Sequence, residues 1–320
     1  MGAAPSGDHL ATRATPPGPI QWPAGRTAAA CLTFDLDAEA AVLSIDVTSR
    51  HRMSPMSHQS YGPLVGVPRI LALLARHDLR ATFFVPGYSA HRYPDTVRSI
   101  AEAGHEIAHH SYFHENTRGM SETVEAEMID LGLEALWDVA GVRPEGYRAP
   151  MWEINFHTPK LLADRGFRYD SSLMDADLPY VLAVPGSSPL VEVPVWWGLD
   201  DWEQYAFLPD LIGSGVIESP LKALEMWTLE LEAAHRIGGT FNLCCHPFLS
   251  GRPGRAEALE RLISQAEQLP GMWITTVGEV ARHVAGLGLT PREVPPPVLP
   301  SDAHWVASDP TPEENRHGQH

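Results

Sequence analysis

From residue 28 onwards the chain alternates short apolar runs with longer stretches whose apolar residues recur every three to four positions. The runs "AACLTFDLD", "RATFFVPG", "HEIAHH", "GYRAP", "FRYDSS", "LVEVPVWW", "GTFNLCCH" and "MWITT" have the length and composition of strands. Between them "GVPRILALLARHD", "YPDTVRSIAEAG", "SETVEAEMIDLGLEALWDVAG", "HTPKLLADRG", "PLKALEMWTLELEAAHRIG" and "AEALERLISQAEQL" carry the helical period. Strands that alternate with helices form βα units, which lie side by side as a parallel sheet. Seven or eight such units predict one α/β domain of the TIM-like barrel kind.

The periodicity fades at both ends. Residues 1–25 and 289–320 are rich in Pro and polar residues and predict a disordered N-terminal tail and a flexible, Pro-rich C-terminal tail around a catalytic domain of residues 26–288. Two segments, 44–66 and 198–220, are too long for plain connections and predict long loops over an active site.

Composition narrows the function. A net charge of -17, from 23 Lys and Arg against 40 Asp and Glu, argues against nucleic acid, whose phosphates need clustered cations. The three cysteines, Cys31, Cys244 and Cys245, lie in apolar runs without metal-site or disulfide spacing, which predicts a reducing compartment. The first residues lack the apolar core of a signal peptide and no run is long enough to span a membrane, so the expectation is a cytoplasmic protein with no membrane partner. "MGAAPS" fits an N-myristoylation pattern, but no basic patch follows to secure an anchor. No nucleophile elbow, phosphate-binding loop or dinucleotide fingerprint is present.

The candidate chemistry centres on "GHEIAHHSYFHEN", residues 104–116. Read as a helix, His105 and His109 would form a zinc-protease pair. Gly104, however, stands where the preceding helix should end, so "HEIAH" reads as a strand, along which His105 and His109 would lie about 13 Å apart. His110 then falls at the strand end, and His114 can curl back from the next loop. Parallel α/β folds build sites at strand ends, where Asp35, Asp37, Arg148 and His246 also fall.

Two imidazoles and a carboxylate leave a divalent ion open positions for water and substrate. We assign Asp37, His110 and His114 to one such ion, Zn²⁺ before Co²⁺, Ni²⁺ or Mn²⁺. Asp35, on the same strand face as Asp37, is the candidate general base, with Arg148 lowering its pKa and fixing its orientation. His246 is the candidate acid for a leaving nitrogen. The set suits metal-assisted hydrolysis of an amide C–N bond.

In this order "TFDLDAE", "HHSYFHEN", "YRAPMW" and "CHP" resemble the NodB-homology polysaccharide deacetylases, carbohydrate esterase family four, over roughly residues 28–282. The resemblance implies a deformed (β/α)7 barrel, a metal on Asp37, His110 and His114, and base and acid roles for Asp35 and His246. It also implies an oxyanion contact from the main-chain N–H near Met151 and support of Arg148 by Asp170. Leu36 separates the two aspartates that the deacetylase motif usually places side by side. That spacing, with "GFRYDSSL" and "VEVPVWW", looks more like a branch containing intracellular peptidoglycan-deacetylase-like proteins, cyclic imide hydrolases and metal-dependent allantoinases. A small cyclic imide or ureide and an N-acetylated sugar are therefore both candidate substrates.

Chitin or peptidoglycan deacetylation, and a silent carbohydrate-binding barrel, are the rival readings. Trp152, Trp196, Trp197 and Trp202 are candidates for a sugar platform, with core or rim packing the plainer alternative. His109 is a candidate substrate contact beside the plainer reading of packing or hydrogen bonding. Oligomeric state is left open.

Overall fold

The computed structural model describes residues 18–208 and 216–298. Strand β1 (Ala28–Asp35) is buried at all eight positions. A run of Ala, Cys, Leu and Phe can sit there because both faces of a parallel sheet are covered. One edge of β1 pairs with β8 (Thr240–Cys245). The other edge pairs first with β9 (Met272–Thr275) and then with β2 (Thr82–Val85). Beyond β2 come β3 (Glu106–His109), β4 (Gly146–Tyr147), β5 (Tyr169–Asp170) and β7 (Leu190–Glu192), all parallel, with β6 (Tyr180–Leu182) antiparallel on the outside of β7.

The sheet curls, but among the described residues no regular ladder joins β7 to β8. The gap is spanned by an isolated bridge between Asp200 and Cys244 and by the Asn242 amide, which donates to the carbonyls of Val193 and Pro194. The expected α/β barrel is thus a curled, parallel-rich half-barrel with helices, and the β6–β7 ribbon is its departure from a plain βα repeat.

The expected helices form as Val67–Arg76, Pro94–Glu102, Glu122–Ala140, Thr158–Asp164, Pro220–Ile237 and Pro253–Gln268. Ser121 and Ser219 cap two of them by accepting from backbone N–H groups, and Gly141 and Gly238 end the same two in the left-handed conformation. The main core lies between the sheet and these helices, around Phe34, Phe83, Phe241 and Trp227. Burying each such side chain contributes about 1.5–3 kcal/mol. Helices Gly87–Arg92 and Val277–Ala285 were not foreseen.

Residues 44–66 are a correction, because they are helical rather than a loop. Asp46 accepts from the Thr48 N–H to start a 3-10 turn, Val47–His51; the helix Met53–Tyr61 and a wide turn, Gly62–Gly66, follow. Weak amphipathic periodicity hid the helix. Gly66 is required where it stands, since a Cβ there would come within 2.1 Å of the Pro247 carbonyl.

The stretches with tail-like composition also reach the domain. Trp22 donates to the Gly238 carbonyl and stacks on His283, while Arg292 pairs with Asp175 and bridges to Leu182. Residues 1–17, with the myristoylation pattern, and 299–320 lie outside the described residues, as does part of the segment 198–220. Among the described residues no helix is long and apolar enough to cross a membrane.

Candidate active site

Gly104 has φ +79° and closes the helix Pro94–Glu102, so β3 starts at Glu106 and its alternation sends His109 to one face while His110 leaves at the carboxyl end. His109 is buried against the helix Glu122–Ala140. Its Nε2 lies 3.0 Å from the Ile129 carbonyl, its Nδ1 accepts from the Ser111 N–H, and its ring stacks on Tyr147. It is absent from the lining of the site cavity and packs behind the strand end.

His114 is brought back by left-handed backbone at Ser111 (φ 59°) and at His114 itself (φ 57°). Glu115 fixes this turn by accepting from the Ser111 hydroxyl at 2.6 Å and the Phe113 N–H at 2.8 Å. The His110 and His114 ring centroids are then 5.1 Å apart. Asp37, two residues past the end of β1, meets both: its oxygens lie 3.5 Å from His110 Nε2 and 3.3 Å from His114 Nε2.

These three side chains fit a cation. Their candidate donor atoms lie within 4.8 Å of one another. Both Asp37 oxygens are buried without a hydrogen-bond partner, an arrangement that costs free energy unless a positive charge stands between them and the imidazoles. His110 Nδ1 is 2.7 Å from the Arg148 carbonyl. A carbonyl only accepts, so that nitrogen carries the proton and Nε2 presents its lone pair to the centre.

Asp35 ends β1 beside this group, 3.8 Å from His110 Nε2. The fully buried Arg148 donates to it from Nη1 at 2.8 Å and lies over the Phe84 ring. Burial alone would push the Asp35 carboxyl upward, but the charges of Arg148, His110 and His246 outweigh it and hold it below the usual carboxylate range. Arg148 is itself held by Thr33 and by the Ser171 carbonyl and hydroxyl. Asp170, the last residue of β5 and one before Ser171, makes no hydrogen bond to Arg148. It accepts from the Ser172 hydroxyl, which in turn accepts from the Ala149 N–H, so it reaches the Arg148 segment through Ser172 and acts on the guanidinium by charge, while Ser171 makes the direct hydrogen bonds.

His246, at the end of β8, faces Asp37 from the opposite wall, with Nε2 3.4 Å from the nearer carboxylate oxygen. Asp201 lies 2.7 Å from its Nδ1 and also accepts from the backbone N–H groups of His246 and Ser250 and from the Ser250 hydroxyl. Burial would lower the His246 pKa, but Asp200, Asp201 and Asp37 raise it well above the ordinary value.

The family model for polysaccharide deacetylase matches residues 61–169. A peptidoglycan deacetylase from Helicobacter pylori is 32% identical over 242 residues, covering 68% of this chain and 83% of that protein. The chain belongs to the polysaccharide deacetylase family. Members of this family are hydrolases of carbon–nitrogen bonds other than peptide bonds. A solved structure of a candidate polysaccharide deacetylase from Mycobacterium smegmatis is 54% identical with a TM-score of 0.88, covering 90% of this chain and all of the other. An allantoinase structure is 25% identical with a TM-score of 0.75, covering 85% and 95%.

In this deacetylase-family chain the clustered groups open into a cavity of about 160 Å³. Trp152, Trp197, Trp202, Met151 and Glu203 wall it, whereas Trp196 turns into a different cavity. Met151 and Trp152 both have positive φ, 56° and 55°, a costly conformation for bulky residues that bends the chain around the cavity. Sequence reasoning missed Asp201, Glu115 and Ser171. The adjacent acids in "GLDDWEQY" were the one readable signal, a pair of carboxylates opening a long segment after a strand.

Proposed function

We propose that this protein opens a small cyclic imide or ureide by hydrolysis of its amide bond. A divalent ion on Asp37, His110 and His114, most simply Zn²⁺, would polarise the carbonyl and lower the pKa of water. Asp35 takes the proton from the attacking water, and Arg148 keeps its carboxylate ionised and aimed. His246, charged by its carboxylate neighbours and oriented by Asp201, returns a proton to the leaving nitrogen. The backbone N–H at Met151, on the cavity wall, is the candidate donor to the developing oxyanion.

The cavity size carries the choice of substrate. A cavity of about 150 Å³ accommodates a benzene-sized ring, and here 160 Å³ is lined by three tryptophans and Glu203. A single ring fits between base and acid, whereas a sugar polymer needs an open groove. The family relationship to an allantoinase structure supports the same reading. A silent barrel would not require a buried Arg148 beside Asp35 or a charged His246. All three cysteines are free and buried, which supports a reducing, cytoplasmic setting.

A second reading, N-deacetylation of an acetylated amino sugar, is favoured by the Helicobacter pylori relative. The test is a substrate panel on metal-loaded protein. Ring opening of succinimide, hydantoin or allantoin is the expected result. Turnover of acetylated chito-oligosaccharides with none of the cyclic compounds would reverse the assignment.

A further inference from the structure

A second cavity, of 560 Å³, lies between the starts of the helices Met53–Tyr61 and Pro253–Gln268. Such a volume is in the range of sites for small organic molecules, about 300–1,000 Å³. Phe207, Leu208 and Ile217 give it an apolar wall, and Arg252, Arg255 and His58 give it a cationic one.

Among the described residues neither Arg252 nor Arg255 has a carboxylate within ion-pair distance, although the chain carries 40 acidic residues against 23 basic ones. Arg252 lies over the Tyr61 ring and donates to His58 Nδ1 at 3.1 Å, which leaves that histidine neutral. Arg255 lies over the Tyr205 ring and donates to the Leu249 carbonyl. Both belong to the start of a long helix with no acidic residue in its first turn, where the backbone dipole already presents positive charge. Like charges at that end repel each other, and an anion between them would offset the repulsion. Burial lowers the Arg255 pKa, the charges of Asp201 and Tyr205 oppose this, and Arg252 adds to the lowering.

We infer that this cavity binds a small organic carboxylate, its head group between Arg252 and Arg255 and its apolar body against Phe207 and Ile217. Planar guanidinium forks match a carboxylate in shape, and the apolar wall has no use for a bare inorganic anion. The site is separate from the catalytic cavity, which it shares no lining residue with.

Calorimetry on the metal-loaded full chain tests this with three probes: hexanoate, hexanamide and inorganic phosphate. Saturable binding of hexanoate at least tenfold tighter than of hexanamide or phosphate is expected. Arg252→Gln with Arg255→Gln should weaken hexanoate tenfold or more, with turnover kept. Ile217→Glu, a change at an exposed position, should do the same if the arginine variant fails to fold. His114→Ala should leave hexanoate binding intact. Equal affinity for hexanamide, phosphate binding as tight as hexanoate, unchanged affinity in the variants, or loss of binding in His114→Ala would each overturn the assignment, the last by moving the ligand to the catalytic centre.

Discussion

Asp35 illustrates how one carboxylate is held ionised in a dry place. Its burial is opposed by a guanidinium at 2.8 Å and by two imidazoles. Asp35→Asn keeps the shape but removes the proton acceptor. We expect kcat/KM to fall by about 10²–10⁴-fold, the usual contribution of a positioned base, while metal content by elemental analysis stays at one equivalent. The same change leaves the buried Arg148 without its counter-charge, so Tm should also fall, and rates must be compared below the transition. Asp201 gives the complementary prediction. Because the His246 pKa is raised, its protonated form is present at neutral pH and is lost as pH rises through that value, whereas the lowered Asp35 stays ionised until pH falls below the usual carboxylate range. Activity should therefore plateau around neutrality. Asp201→Asn removes one of the charges that raise His246, so the alkaline limb of the kcat/KM profile should move to lower pH while the acid limb stays. An unmoved alkaline limb would mean that His246 is not the acid.

At the scale of elements, the position of one helix end decided how the histidines were read. Gly104 was legible because a left-handed helix end has a strong residue preference; β1, β2 and β8 were legible as largely apolar runs, and β3 because it starts just after that glycine. Less could be read where tertiary contacts decide. β4 and β5 are two residues long, β6 is held between β7 and the bridge to Arg292, and the helix Met53–Tyr61 lacks a strong apolar stripe. Asp201 was invisible for a related reason, since its role depends on a contact spanning 45 residues. Gly132 shows how an element can carry a site without touching it. In an exposed helix interior Gly→Ala would stabilise by about 1 kcal/mol, but here a Cβ would stand 2.2 Å from His109 Nε2. Gly132→Ala should destabilise by about 1–3 kcal/mol, as overpacking does, measured by urea unfolding. It should also weaken metal retention, because pushing His109 moves the strand end that carries His110.

For the whole molecule, an ion on Asp37, His110 and His114 would be a tie between two strands that are not neighbours. Asp37 follows β1, while His110 and His114 follow β3, with β2 lying between. In the free chain these ligands are 73 and 77 residues from the aspartate along the sequence, so an ion joining them stabilises the folded state and has little to hold in the unfolded one. The buried, unpartnered Asp37 oxygens add to the effect, since removing the ion leaves their charge without close compensation. Ligand binding to the native state alone stabilises by RT ln(1 + [L]/Kd), about 4 kcal/mol at a thousandfold excess over Kd. Chelation should therefore lower Tm by several degrees, and restoring Zn²⁺ should recover it. His114→Ala should start near the chelated value and respond to neither treatment. Asp35→Asn, which keeps all three ligands, should retain the response even though its turnover is greatly reduced. That pairing separates a centre that builds the fold from one that only serves the reaction. A wild-type Tm indifferent to chelator, with metal shown by elemental analysis to have left, would mean that the Asp37 carboxylate is neutralised by its histidines alone, and the proposed ligand set would have to be abandoned.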